Sequence, residues 1–160
     1  HLSIRRQRQM CIRDRIYAAQ QALNTARNEA VSINDGWAWY NMGTSLTYLK
    51  QYYDAATAFN EAFRLGMPYR TTWYRFGPFE AYYYTGNYDA VINLVDNTEA
   101  TTVYVEELSY WRGMVFAARG QADLAINEFD NALTFNRNFA AALEAKTAIE
   151  NGTFSAAASS

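Results

Sequence analysis

Ala55, Ala90 and Ala125 recur at intervals of 35 residues, and Phe59, Leu94 and Phe129 recur at the same interval. Gly43, Gly77 and Gly113 keep almost that step, 34 and 36 residues apart. A period of this length, met three times, confines the chain to architectures that stack one supersecondary unit on the next. The three segments are GWAWYNMGTSLTYLKQYYDAATAFNEAFRLG from Gly36, RTTWYRFGPFEAYYYTGNYDAVINLVDN from Arg70, and EELSYWRGMVFAARGQADLAINEFDNALTFN from Glu106.

Each segment reads as two amphipathic helices joined by a tight turn. Trp39, Met42, Gly43 and Leu46 follow the i, i+3, i+4, i+7 spacing of a helix with one buried face. Ala55, Phe59 and Ala62 fall on one side of the helix that follows. The turns are expected at Lys50 and Gln51, at Thr85 to Asn87, and at Arg119 to Gln121, where Gly86 and Gly120 can take the left-handed conformation that ends a helix. Glycine and alanine at the recurring positions let two backbones approach, and a large side chain at Phe59, Leu94 or Phe129 fills the space between them. Pro78 falls inside the first helix of the middle unit. There it predicts a kink or a late helix start, or else a widened groove.

These residues carry a resemblance. Gly36 to Met67 is similar to a tetratricopeptide repeat (TPR), whose pattern is W-x2-L-G-x2-Y, then A-x3-F-x2-A, then P. Trp39, Met42, Gly43 and Leu46 are followed here by Ala55, Phe59 and Ala62, with Pro68 one place late. The third unit matches through Gly113, Phe116, Gly120, Ala125, Phe129 and Ala132, with Ser109 at the tryptophan position. The second matches through Trp73, Gly77, Gly86 and Ala90 but has Asn97 where a small apolar residue is usual. The resemblance implies an all-α fold, a right-handed superhelix of about three helical hairpins. Its expected parts are the second helix of a truncated repeat over 16–33, repeats over 36–69, 70–105 and 106–138, and a covering helix over 139–150. Together these make an array over 16–150, followed by a flexible tail over 151–160. In the leading helix Ala19, Leu23, Ala26 and Ala30 form the small apolar face.

The resemblance also implies a function, the binding of a protein or peptide along a groove lined by first helices. Three residues before each glycine stand Tyr40, Tyr74 and Tyr110, flanked by Trp37, Asn41, Thr44, Arg75, Trp111 and Met114. Aromatic rings suit recognition because they give large contact area at little entropic cost. Tyrosine at that place also serves as packing between neighbouring first helices, and both roles stay open. Repeats of this kind that hold the C-terminal carboxylate of chaperone peptides use a lysine and asparagine clamp. Tyr40 and Thr44, then Tyr74 and Pro78, occupy those places, so binding of that class is not expected. The run GMPYRTTWYRFGPFEAYYYTGNYDAVI further resembles repeat tails behind papain-like cysteine peptidase domains of bacteria, which implies a non-catalytic part of a larger enzyme as the alternative.

Catalysis within the chain finds little support. The only histidine and cysteine, His1 and Cys11, lie in the opening HLSIRRQRQMCIRDR. Without them residues 16–160 hold neither a zinc-finger ligand set nor a nucleophile–histidine pair. Asp89 and Asp123 stand at expected helix starts, where acids favour the dipole, and no phosphate-binding glycine loop or metal-ligand spacing occurs. The residues therefore predict no enzyme, no cofactor and no metal. Five arginines against Asp14 give residues 1–15 a charge of +4, so the total of −2 leaves −6 on the other 145 residues. A body of that sign repels phosphate backbones and favours basic or neutral partners. Nucleic-acid binding would rest on the opening arm alone. No apolar run approaches the roughly 18 residues of a membrane helix, so no membrane partner is expected. The SIRRQRQMCIRDR run resembles translated sequencing-adapter read-through, a peptide found at the ends of reading frames from environmental DNA. Residues 1–15 are accordingly expected to be non-native or disordered.

Overall fold

A computed structural model of the chain describes residues 2–33, 35–102 and 105–156, with side chains in the first helix described for 13–28. His1, the side chains of Cys11 and Ala30, and residues 157–160 of the expected tail lie outside the described residues. The fold is all-helical, with no strand among the described residues. It divides into two compact units, His1–Pro68 and Tyr69–Ser160.

The first unit holds α1 (Leu2–Ile33), α2 (Gly36–Tyr48) and α3 (Tyr52–Arg64). The helix expected to begin at residue 16 runs unbroken from Leu2. Arginine, glutamine and methionine are competent helix formers, and no glycine or proline precedes Gly36. Among the described side chains of α1, Leu23 and Ala26, one turn apart, are buried, and Ala19 is half-buried. Asp35 caps α2, accepting from the backbone N–H of Trp37 at 3.2 Å. Ala55, Ala58, Phe59 and Ala62 form the apolar face of α3, each fully buried.

The two helices close because Gly43 lacks a side chain. A Cβ there would come within 2.7 Å of the Phe59 ring. The same contact recurs in the second unit, where a Cβ on Gly113 would meet the Phe129 ring at 2.7 Å. The helix ends also repeat. At the end of α2 the N–H groups of Lys50 and Gln51 bond Thr47 O and Leu46 O, both at 2.9 Å. Gly86 and Asn87 do the same to Tyr83 and Tyr82, as do Gly120 and Gln121 to Ala117 and Phe116. These are paired bonds of the Schellman type, which need one residue in the left-handed region. Gly86 and Gly120 supply it with φ of 72° and 74°, whereas the first hairpin forces Lys50 to 59°.

The second unit contains a 3-10 helix (Tyr69–Trp73), α4 (Gly77–Tyr84), α5 (Tyr88–Glu99), α6 (Glu106–Ala118), α7 (Ala122–Phe135) and α8 (Ala140–Glu150). Pro78 lies in the first turn of α4, so this helix starts late and spans 8 residues against the 13 of α2 and α6. The buried face of α5 is Val91, Leu94, Val95 and Thr98. The 35-residue period places it at Ala90, Leu94 and Asn97. The difference is about one residue, or roughly 100° around the helix. Asn97 consequently points outward, its amide donating to Asn93 O at 2.7 Å. Thr98 takes the interior place, its hydroxyl 2.6 Å from that of Thr72 and donating to Leu94 O at 2.7 Å. Trp73 Nε1 adds a bond to Thr101 at 3.0 Å, tying the 3-10 helix to α5. On the far side, Ala142 of α8 joins Ala125, Phe129 and Ala132 of α7 in one buried cluster, with Tyr110, Phe139 and Ile149 packed against it.

Two substitutions of opposite sign test these constraints by urea denaturation. Gly113→Ala should lower the unfolding free energy by about 1–3 kcal/mol, because the buried Phe129 ring must move. Lys50→Gly should raise it by about 1 kcal/mol by relieving a left-handed residue. An unchanged midpoint for Gly113→Ala would refute the close-contact account.

Candidate functional site

The exposed side of α2 is an aromatic and polar stripe. Trp37, Asn41, Thr44 and Tyr48 follow at steps of four, three and four residues, which places all four on one face, and all four are exposed. Trp37 is 48% and Tyr48 52% exposed. The stripe is anchored from beneath by Tyr40, which is fully buried against Phe59 at 5.1 Å and Phe63 at 6.3 Å between ring centroids. Trp37 meets the edge of Tyr40 at 6.5 Å, and the Thr44 hydroxyl donates to Tyr40 O at 3.0 Å. Tyr40 therefore packs and does not face a ligand.

The other two tyrosines of the expected ladder also differ from it. Tyr74 is 77% exposed but belongs to no helix. Because Pro78 fixes where α4 begins, Tyr74 and the exposed Arg75 fall in the connection before it. Tyr110 sits on α6, half-buried, with Phe129 at 6.0 Å and Phe139 at 5.4 Å. Burial foremost, followed by the nearby Tyr84, Glu80 and Glu144, pushes its hydroxyl up to about 12. Trp111, expected beside the groove, is 9% exposed, its ring 6.3 Å from Phe79 and 5.9 Å from Tyr83 of α4. Met114 is half-buried and belongs to the shell around the α7–α8 cluster. Of the expected set, Trp37, Asn41 and Thr44 are thus brought together on one exposed face, and Tyr110 and Met114 share a side of α6.

The side chains that carry charge are mostly committed to structure. Arg112 of α6 makes a two-pronged contact with Glu99 at 3.0 and 2.6 Å and a bond to Asp96 at 3.1 Å, both on α5, with Glu128 of α7 at 3.8 Å. Burial works against its charge, but Glu99, Glu128 and Asp96 outweigh that, so its pKa is raised. Arg119 pairs with Asp89 at 2.7 Å and Lys146 with Asp130 at 2.6 Å. Glu107 lies in the first turn of α6, and its carboxyl is raised by burial and by Glu106, with a bond from its own backbone opposing. Among the described residues no group of three histidine, cysteine, aspartate or glutamate side chains could hold a metal ion, and no helix is long and apolar enough to cross a membrane. A cleft of 190 Å³ between Ala117, Ala122, Ile149 and Phe154 is smaller than the roughly 300 Å³ at which small-molecule sites begin.

Sequence reasoning missed Tyr48, Tyr84 and Arg112. Tyr48 was findable, since it continues the Trp37, Asn41, Thr44 spacing by one more turn. Arg112 gave no signal, because its partners are 13 and 16 residues away on another helix. No family model matches the sequence, and no curated protein matches it.

The burial difference predicts a sharp contrast in stability between two tyrosines. Tyr40→Ala should cost about 3–5 kcal/mol, as large aromatic truncations in cores do, while Tyr74→Ala should stay within about 0.5 kcal/mol. Chemical denaturation of both variants measures the contrast, and equal losses would overturn the assignment of Tyr40 to the core.

Proposed function

We propose that the chain is a TPR-type helical array that binds a protein or peptide segment, with the exposed face of α2 as part of the recognition surface. The observation that carries this reading is the Trp37, Asn41, Thr44, Tyr48 stripe, two large rings half in solvent on a helix whose opposite side is core. Rings of this kind supply much of the energy at binding surfaces, and the polar residues between them fix register. Tyr40 supports the same reading from below, because it holds Trp37 in place at no cost to the surface. The helix lengths, the recurring glycine-on-phenyl contact and the repeated helix ends are what the TPR resemblance leads one to expect of hairpins in a stacked array. The array acts as a scaffold: rigid helices present contacts and no bond is made or broken.

Selection of peptides from a random library on the immobilised chain, followed by anisotropy titration of a selected peptide, tests this. Trp37→Ala should weaken binding by tenfold or more, equivalent to about 1.4 kcal/mol. Tyr53→Ala, at a ring 58% exposed on α3, should leave it unchanged. Capture that survives Trp37→Ala combined with Tyr48→Ala, with helix content intact, would defeat the assignment.

A further inference from the structure

Two residue pairs in the chain have the covalent make-up for succinimide closure, Asp35 with Gly36 and Asn151 with Gly152. In each, the backbone nitrogen of the second residue can attack the side-chain Cγ of the first and close a five-membered ring. Glycine obstructs that approach least, because it has no side chain and a freely turning backbone. An amide is the better electrophile of the two, since it can lose ammonia. Asn151 is the one asparagine of thirteen that precedes a glycine.

The structure treats the two pairs differently. Asp35 is committed to capping α2, and Gly36 is buried, with its Cβ direction blocked by Met67 at 3.1 Å and Ala62 O at 3.3 Å. Ring closure there would dismantle the start of α2. Asn151 and Gly152 instead stand exposed at the end of α8, and nothing lies within 4 Å of the Cβ direction of Gly152. Among the described residues the Asn151 side-chain amide makes no hydrogen bond. What restrains this pair is its backbone. Asn151 has ψ of −1°, so the Gly152 nitrogen eclipses the Asn151 nitrogen and stands away from Cβ. The Gly152 N–H donates to Ile149 O at 3.0 Å, and those of Thr153 and Phe154 donate to Ala148 O at 2.8 and 3.0 Å. The half-buried Phe154 closes the turn by lining the cleft with Ala117, Ala122 and Ile149. The ring can therefore form only when this last turn opens.

We propose that Asn151 is a site of spontaneous deamidation, gated by the opening of the turn that ends α8. In the open turn the Gly152 nitrogen attacks Asn151 Cγ. The new C–N bond replaces the bond from Cγ to Nδ2, and the amide nitrogen leaves as ammonia, taking up the proton that the Gly152 nitrogen gives up. Water then adds to either carbonyl of the succinimide and opens it to aspartate or isoaspartate. Both products place a negative charge directly after Glu150, at the helix end where the dipole disfavours it. Isoaspartate also inserts a methylene into the backbone, which puts the bonds to Ile149 and Ala148 out of register. Phe154 then loses its seat, and the apolar cleft beside Ala117, Ala122 and Ile149 opens. This modification is independent of the peptide-binding reading.

The test holds the full chain at mildly alkaline pH, folded in buffer and unfolded in guanidinium chloride, with peptide mapping by mass spectrometry at intervals. In the folded chain Asn151 should convert before every other asparagine, gaining the mass of an amide-to-acid exchange and resolving into acid and iso-acid products. Unfolding should speed the conversion about tenfold, the size of effect that a fraying helix end gives. Phe154→Ala should speed it about threefold in the folded chain and leave the rate in guanidinium unchanged. Asp35 should isomerise only in the unfolded chain. Conversion of the exposed Asn138, which precedes Phe139, as fast as Asn151 would overturn the site. Equal rates in folded and unfolded chain, or no effect of Phe154→Ala, would overturn the gating. A folded chain still unconverted when the unfolded chain has fully reacted would overturn the proposal as a whole. The separated isoaspartate form should exchange the Thr153 and Phe154 amide hydrogens faster than the asparagine form, and identical exchange would overturn the release of Phe154.

Discussion

A phenyl ring lying on a glycine holds each well-formed hairpin together. At Gly43 and Gly113 even one methyl group would press into a fully buried ring at 2.7 Å, so the helices stand as close as backbone and phenyl allow. Burying one such ring contributes about 1.5–3 kcal/mol, but the contact also sets helix spacing and rotation. Once Phe59 is fixed on Gly43, Tyr40 is committed to the core and Trp37, Asn41, Thr44 and Tyr48 are committed to the outside. The recognition face of α2 is thus the remainder of a packing decision made on its other side.

The middle pair of helices reaches closure by another route. Pro78 shortens α4, and the residues before it form a 3-10 helix tied to α5 through the Thr72 and Thr98 hydroxyls and the Trp73 indole. With the α5 face turned by one residue, Val91 and Val95 occupy interior space that alanine and phenylalanine fill in the flanking pairs. The loss of a full first helix is offset by side-chain volume, since Phe79, Tyr82 and Tyr83 are all buried in so short an element. Burial also raises the Tyr82 hydroxyl, with Tyr69 adding to it. This pair is rich in aromatic contacts because it has little helix with which to make any other kind.

Much of this was legible in the sequence, and the failures have physical causes. The glycine, alanine and phenyl period located the hairpins and their turns, because close helix packing admits few residue types at the contact. The same period misplaced the α5 face, since the alignment on Ala90 absorbed a shift that Gly77, one residue early in the step, already hinted at. The tyrosine ladder came from counting three residues back from each glycine. That count assumes a common helix register, and Pro78 removes Tyr74 from it while Phe59 and Phe63 enclose Tyr40. The Arg112 contacts were invisible for a different reason, as they join helices that only the finished unit brings side by side. Tyr48 was legible in the spacing, since it continues the Trp37, Asn41, Thr44 stripe by one more turn.

Charge is sorted between the two layers of the second unit in a way that packing alone does not require. The basic residues of α6 and α8 reach back to carboxylates on α5 and α7, as Arg112 does to Glu99 and Asp96 and Lys146 to Asp130. Pairs of this exposure contribute about 0–1 kcal/mol each, so their removal from the α4, α6 and α8 side matters less for stability than for the field they leave behind. Burial foremost, with Glu106 adding to it, raises the carboxyl of Glu107 at the start of α6, while a bond from its own backbone opposes the shift.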